Sequence, residues 1–198
     1  MALSKITNSG VAASGIPSGG IIQVQRTQFT STNTVTISAG VDTPLTDLTV
    51  NITPTATSSI IKVEAMINGE WGTTQGGATD GVWFFFRDTT KLSHATSGNR
   101  TVGVLMGTGL TYFADEAASS PEHAYYSYFD SPSSTSQITY KVGVNQRNGY
   151  DWHLNMTVDD NDGNNYERGT LKVGGKCQFH IVDVCKIGRA HVRTPVTA

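Results

Sequence analysis

Charge is scarce in this chain. Asp, Glu, Lys and Arg make up 15% of its 198 residues, where an ordinary globular domain has about a quarter. The 14 basic and 16 acidic side chains leave a formal net charge of −2. No dense Lys/Arg cluster occurs within the body of the chain, which argues against nucleic-acid binding, since that needs a basic footprint. Long hydrophobic runs are also missing. No stretch approaches membrane-spanning length, and the N-terminus lacks the apolar segment of a signal peptide. Membrane insertion is therefore not expected, and synthesis in a cytoplasm is. Cysteine is nearly absent: the 2 present are Cys177 and Cys185. They flank one apparent strand, and at about 3.3 Å per residue they stand roughly 26 Å apart, too far to bridge. Both read as free thiols without a metal role. Helical periodicity is absent as well, for no segment of about ten residues carries a 3.6-residue apolar period.

What the chain does have is turn chemistry and alternation. Gly, Ser, Thr and Asn are abundant, as expected where many short strands are joined by turns. Ile21–Phe29 reads as a strand, and Val35 and Ile37 mark a short one. Leu48, Val50 and Ile52 alternate with polar residues until Pro54 closes the strand, and Ile61, Val63, Ala65 and Ile67 share the face opposite Lys62 and Glu64. This period of two belongs to half-buried antiparallel strands. Gly72–Gly81 reads as a loop, and Val82–Arg87, apolar on both faces, as a central strand. Val102, Val104 and Met106 mark another, followed by Ala124, Tyr126 and Tyr128, and then by Ile138–Val144. Trp152–Thr157, Gly169–Val173 and Gln178–Val184 complete the set. About ten short strands predict an all-β, antiparallel β-sandwich, most plausibly a jelly roll. The expected organisation is an extended leader over residues 1–20 and one sandwich domain over 21–185.

Residues with chemical potential have ordinary alternatives. Asp159–Asn165 is rich in oxygen ligands, but its spacing is not that of a calcium loop, and Asp/Asn-Gly chemistry suits a hairpin turn. His94, His123, His153 and His180 show no metal-ligand spacing. No nucleophile elbow or phosphate-binding fingerprint occurs. Asp115 and Glu116 are adjacent, whereas a glycosidase needs carboxyls facing across a cleft. The expectation is therefore a protein without catalytic residues, metal or cofactor. Aromatic residues are more suggestive. Tyr125, Tyr126, Tyr128 and Phe129 cannot all point inward from one strand, so some line a surface or a subunit interface. Tyr112, Tyr150 and Trp152 lie beside polar loops. With Asn148 as a polar companion they are the candidate recognition residues, since flat rings can stack on a sugar while amides hydrogen-bond. Partial burial at a strand end is the alternative.

Two segments carry a resemblance. Asn51-Ile-Thr-Pro-Thr-Ala-Thr-Ser-Ser-Ile-Ile-Lys-Val-Glu64 and Asp130-Ser-Pro-Ser-Ser-Thr-Ser-Gln-Ile-Thr-Tyr-Lys-Val-Gly-Val144 resemble a family of β-sandwich proteins from tailed phages of marine bacteria, the cyanophage- and pelagiphage-like group. Its members are described as tail-fibre-like or virion structural proteins. Ser4–Val11 is similar to the family's leader. The aromatic strand Val82–Arg87 and the Cys-containing C-terminal strand depart from the family's usual look, which bears more on a shared interface than on a shared fold. The resemblance implies a non-enzymatic virion protein made in the host bacterial cytoplasm. Its role would be a fibre or appendage head, a homotrimer that contacts a host-surface glycan or protein. Other virion proteins would be met through the leader. Competing readings are a C1q/TNF-like or lectin-like jelly-roll module, a head decoration protein and, furthest away, a glycan-degrading enzyme.

The last residues read differently from the rest. Ile187-Gly-Arg-Ala-His-Val192 and Thr194-Pro-Val-Thr197 resemble a translated short-read sequencing adapter. This implies that residues 186–198 are an artefact of a gene read from environmental DNA, to be set aside in reasoning about the fold.

Overall fold

Pairs of neighbouring strands, all antiparallel, build two sheets in the computed structural model, which describes residues 21–72, 80–96, 98–110, 122–158 and 177–184. The strands are β1 (Ile21–Phe29), β2 (Asn33–Thr36), β3 (Thr43–Ile52), β4 (Ile60–Trp71), β5 (Gly81–Arg87) and β6 (Thr90–Leu92). After these come β7 (Leu105–Met106), β8 (Gly109–Leu110), β9 (Glu122–Asp130), β10 (Ile138–Gln146), β11 (Asp151–Leu154) and β12 (Cys177–Val184). The described residues contain no helix.

The first sheet has seven strands. Its long members run β1–β12–β4–β9, with β8 beyond β9. β11 pairs with the last residues of β4, end to end with β12, and β2 lies outside β11. The second sheet has five strands in the order β3–β10–β5–β6, and β7 pairs with the other end of β5. Counting β1, β3, β4, β5, β6, β9, β10 and β12 as strands 1 to 8 along the chain, the two sheets run 1-8-3-6 and 2-7-4-5. That is the strand order of a jelly roll, so the predicted all-β sandwich is the fold observed.

Alternation fills the core. Ile61, Val63, Ala65 and Ile67 from β4 meet Val142, Val144, Trp83 and Phe85 from the opposite sheet, all buried. Side chains also join the sheets. The Tyr126 hydroxyl donates to the Phe84 carbonyl at 2.8 Å. Arg87 Nη1 donates to both carboxylate oxygens of Asp130, at 2.9 and 3.0 Å, and the Tyr140 hydroxyl donates to Asp130 Oδ2 at 2.6 Å. Burial, followed by the hydrogen bond to Asp130, pushes the Tyr140 phenol well above its ordinary pKa. It therefore stays a donor across the physiological range.

Leu45 falls out of phase with Leu48, yet both are buried, because the β3–β10 register shifts between Lys141 and Val142. A bulge of this kind turns an out-of-phase residue inward. Two expectations about the strands need correction. The strand expected around Val102–Met106 is only the two residues of β7, because Val104 N–H donates to Trp83 O and Gly107 N–H to Gly81 O outside a regular ladder. The strand expected over Trp152–Thr157 stops at Leu154, since Asn155 takes φ 58°. Its side-chain amide donates to the carbonyls of Phe29 and Ser31, each at 2.9 Å, which holds the left-handed backbone that Asn tolerates. The leader, most of the Gly72–Gly81 loop, the Asp159–Asn165 turn, the Gly169–Val173 strand, Cys185 and the C-terminal tail lie outside the described residues.

Candidate functional site

The described candidate recognition residues, Asn148, Tyr150 and Trp152, do not form one surface. Asn148 is exposed and Tyr150 half-buried on the loop between β10 and β11. Gln146 Oε1 shapes this loop by accepting from the backbone N–H groups of Asn148 and Gly149, at 2.5 and 2.8 Å. Gly149 sits at φ 73°, and a Cβ there would meet the Ala39 backbone nitrogen at 2.7 Å, so the turn needs glycine on both grounds. Tyr112 lies outside the described residues.

Trp152 corrects the expectation directly: it is 0% exposed. β11 is paired on both sides, with Trp152 opposite Trp71 of β4 and Val35 of β2, so its inward residues Trp152 and Leu154 enter the core. The indole lies over Gly69, where a Cβ would meet it at 2.7 Å. Trp71, Trp83 and Trp152 form one cluster with ring centroids 5.1–5.9 Å apart, and Trp152 meets both others edge-on. A side chain enclosed in this way cannot stack on a ligand. The signal was present in the sequence, where Trp152 and Leu154 alternate with Asp151, His153 and Asn155.

The surface aromatics stand elsewhere. β9 directs Tyr126 inward, leaves Tyr128 half-buried, and presents Tyr125 at 58% and Phe129 at 63% exposure. Some of the four aromatics do therefore line a surface, as alternation requires. Tyr125 pairs with Met66 and Phe129 with Lys62 across the β4–β9 ladder, on the outer face of the first sheet. On the same face Lys62 Nζ contacts Glu64 Oε2 at 2.5 Å. That hydrogen bond holds the Lys62 proton more tightly than usual.

A buried acid lies at one end of β9. Glu122 is 5% exposed, and its carboxylate accepts from the Thr108 hydroxyl at 2.9 Å and from the Trp71 backbone N–H. Burial above all, with the nearby charge of Glu70, raises its pKa from 4.5 to about 7. Glu70, also buried, accepts from Val158 N–H. Beside it on β11, burial lowers the pKa of His153, whose Nδ1 lies 3.3 Å from the Thr34 hydroxyl. Because the folded state holds the Glu122 proton longer, its contribution to stability is complete below pH 4.5 and is lost as pH rises towards about 7. Glu122→Gln should therefore match the parent protein at pH 4.5 and exceed it at pH 8, by no more than about 3 kcal/mol. Urea midpoints at the two pH values measure this. Equal midpoints for the two proteins at pH 8 would refute it.

Among the described residues no group of three or more His, Cys, Asp or Glu side chains is placed to hold a metal. No protein-family model matches this chain, and no curated protein matches it.

Proposed function

We propose that this chain is a non-enzymatic structural protein of a tailed-phage particle, the head domain of a fibre or appendage that self-associates as a homotrimer and contacts the host surface. The observation that carries the reading is the outer face of the first sheet. A sandwich with a well-filled core still presents Tyr125, Phe129 and Met66 together to solvent, and apolar patches of this kind mark places where proteins meet. The resemblance of Asn51–Glu64 and Asp130–Val144 supplies the particle. Exposed Asn148 and half-buried Tyr150 remain the candidate contacts to a host glycan or protein, and many copies on one particle would raise a weak single-site affinity. A C1q/TNF-like or lectin-like binding module is the second reading, favoured by the jelly-roll strand order.

Immunogold labelling of particles that carry this gene, with antibody raised against the purified chain, tests the proposal. Gold on the tail or its appendages is expected. Intact particles without label would reject a virion role. Release of reducing sugar from host envelope polysaccharide by the purified chain would reject the non-enzymatic role.

A further inference from the structure

Among the described residues seven large hydrophobic side chains are exposed: Ile21, Val24, Val41, Met66, Met106, Tyr125 and Phe129. Five of these, all but Val41 and Met106, fall on the outer face of the first sheet. The register through β1, β12, β4 and β9 sets them there: Ile21 and Val24 align through β12 with Ile60 and Lys62, and Met66 pairs with Tyr125. Scattered apolar residues on a surface mean little, but a gathering on one face does.

The outer face of the second sheet has aromatic residues too, and there the chain covers them. Phe84 and Phe86 pack edge-to-face at 5.2 Å over Gly143, whose missing Cβ makes room for both rings. Lys91 Nζ sits 4.0 Å from the Phe84 centroid. Asp42 holds that lysine at 2.9 Å and also accepts from the Asn145 amide at 2.8 Å. Phe84 is 0% exposed as a result. Tyr125 and Phe129 have no such cover among the described residues.

We infer that the outer face of the first sheet, centred on Met66, Tyr125 and Phe129, is where copies of this chain meet one another. Charge favours a second copy as the occupant. The face carries both signs: Lys62 and Glu64 neutralise one another within it. Arg26 shares the face through its register with β12 and Glu64. Copies laid against each other bring one face of mixed sign onto another, with Arg26 able to join the Lys62–Glu64 pair of the neighbour, and no block of like charge opposes contact. The rim of β9 offers no obstacle. From Ala124 to Asp130 it has no strand partner on the side away from β4 among the described residues. Between His123 and Phe129 it also lacks the Lys, Arg, Glu or Pro that would guard an edge. This inference rests on the self-association proposed above and names its surface. It does not depend on a place in a particle.

Sedimentation of the full chain at micromolar concentration is the test. The parent protein should sediment as an oligomer, and the double variant Tyr125→Lys/Phe129→Lys as a folded monomer, its association weakened roughly 100-fold or more. Met106→Lys, exposed but off this face, should assemble like the parent. Phe129→Ser alone, with folding checked by circular dichroism, should weaken assembly in the same direction and stands in if the double variant does not fold. A double variant or Phe129→Ser protein that assembles like the parent would overturn the assigned face and leave self-association standing. A monomeric parent would overturn both, while the gold labelling separately decides the virion role.

Discussion

Trp152→Ala should lower stability by about 3–5 kcal/mol, because it removes the largest kind of side chain from a site with no solvent contact. For a chain of this size that corresponds to a fall of roughly 6–20 °C in Tm. The loss should stand near the top of the range. Trp152 is the ring that meets both Trp71 and Trp83 edge-on at 5.1 Å, so deleting it strips contacts from two indoles at once. Collapse into the gap is hindered because β11 is held on both sides, by β4 and β2. Trp152 Nε1, like those of Trp71 and Trp83, is buried with no hydrogen-bond partner among the described residues, so its removal offsets a little of the loss and keeps it within this range. Tyr125→Ala, on the open face, should change the stability of the chain by no more than about 0.5 kcal/mol at concentrations below those of assembly. Thermal melts of the two variants side by side separate core from surface. A Trp152→Ala protein melting within about 2 °C of the parent would show that the cluster does not hold this end of the sandwich together.

That pair of residues also shows what was legible in the sequence. Alternation is a local signal, and it located the inner faces of β4, β9 and β10 because each of these strands keeps a period of two for most of its length. It could also say that Tyr125 and Phe129 share a face and that Tyr126 opposes them. It could not say which face was outward in any strand whose two faces are both apolar, and β5 is such a strand. There Trp83 and Phe85 enter the core, while Phe84 and Phe86 lie on the outer face, with Lys91 over the Phe84 ring. Leu45 was hidden by a bulge, and the end of β11 by one asparagine in a left-handed conformation. Trp152 is a different case: its polar loop neighbours suggest a surface position, but the alternation of its own strand decides where the side chain points. The Arg87–Asp130–Tyr140 link was illegible, because its members belong to three strands that only the jelly-roll connections bring together.

Asp130→Ala should destabilise the domain by about 3 kcal/mol, at the lower end for breaking a buried ion pair. The carboxylate is the shared acceptor of a two-sheet junction: Arg87 from β5 holds both its oxygens and Tyr140 from β10 holds one. Its removal leaves a guanidinium charge and a buried phenol hydroxyl without their acceptor, and the cost of those orphaned groups dominates. Arg87 keeps 28% side-chain exposure, so water can partly serve the freed cation, which is why the loss should not reach the upper end of the range. The replacements should rank in a fixed order. Asp130→Asn keeps an acceptor oxygen and loses the charge, so it should cost less than alanine. Tyr140→Phe deletes one hydrogen bond from a well-packed ring and should cost about 1 kcal/mol. Because Asp130 and Tyr140 share one contact, the Asp130→Ala/Tyr140→Phe double variant should lose less than the two single losses combined. Urea denaturation of the four variants gives the ranking and the coupling together. Strict additivity, or a Tyr140→Phe cost equal to that of Asp130→Ala, would show that Asp130 is not the acceptor on which this junction depends.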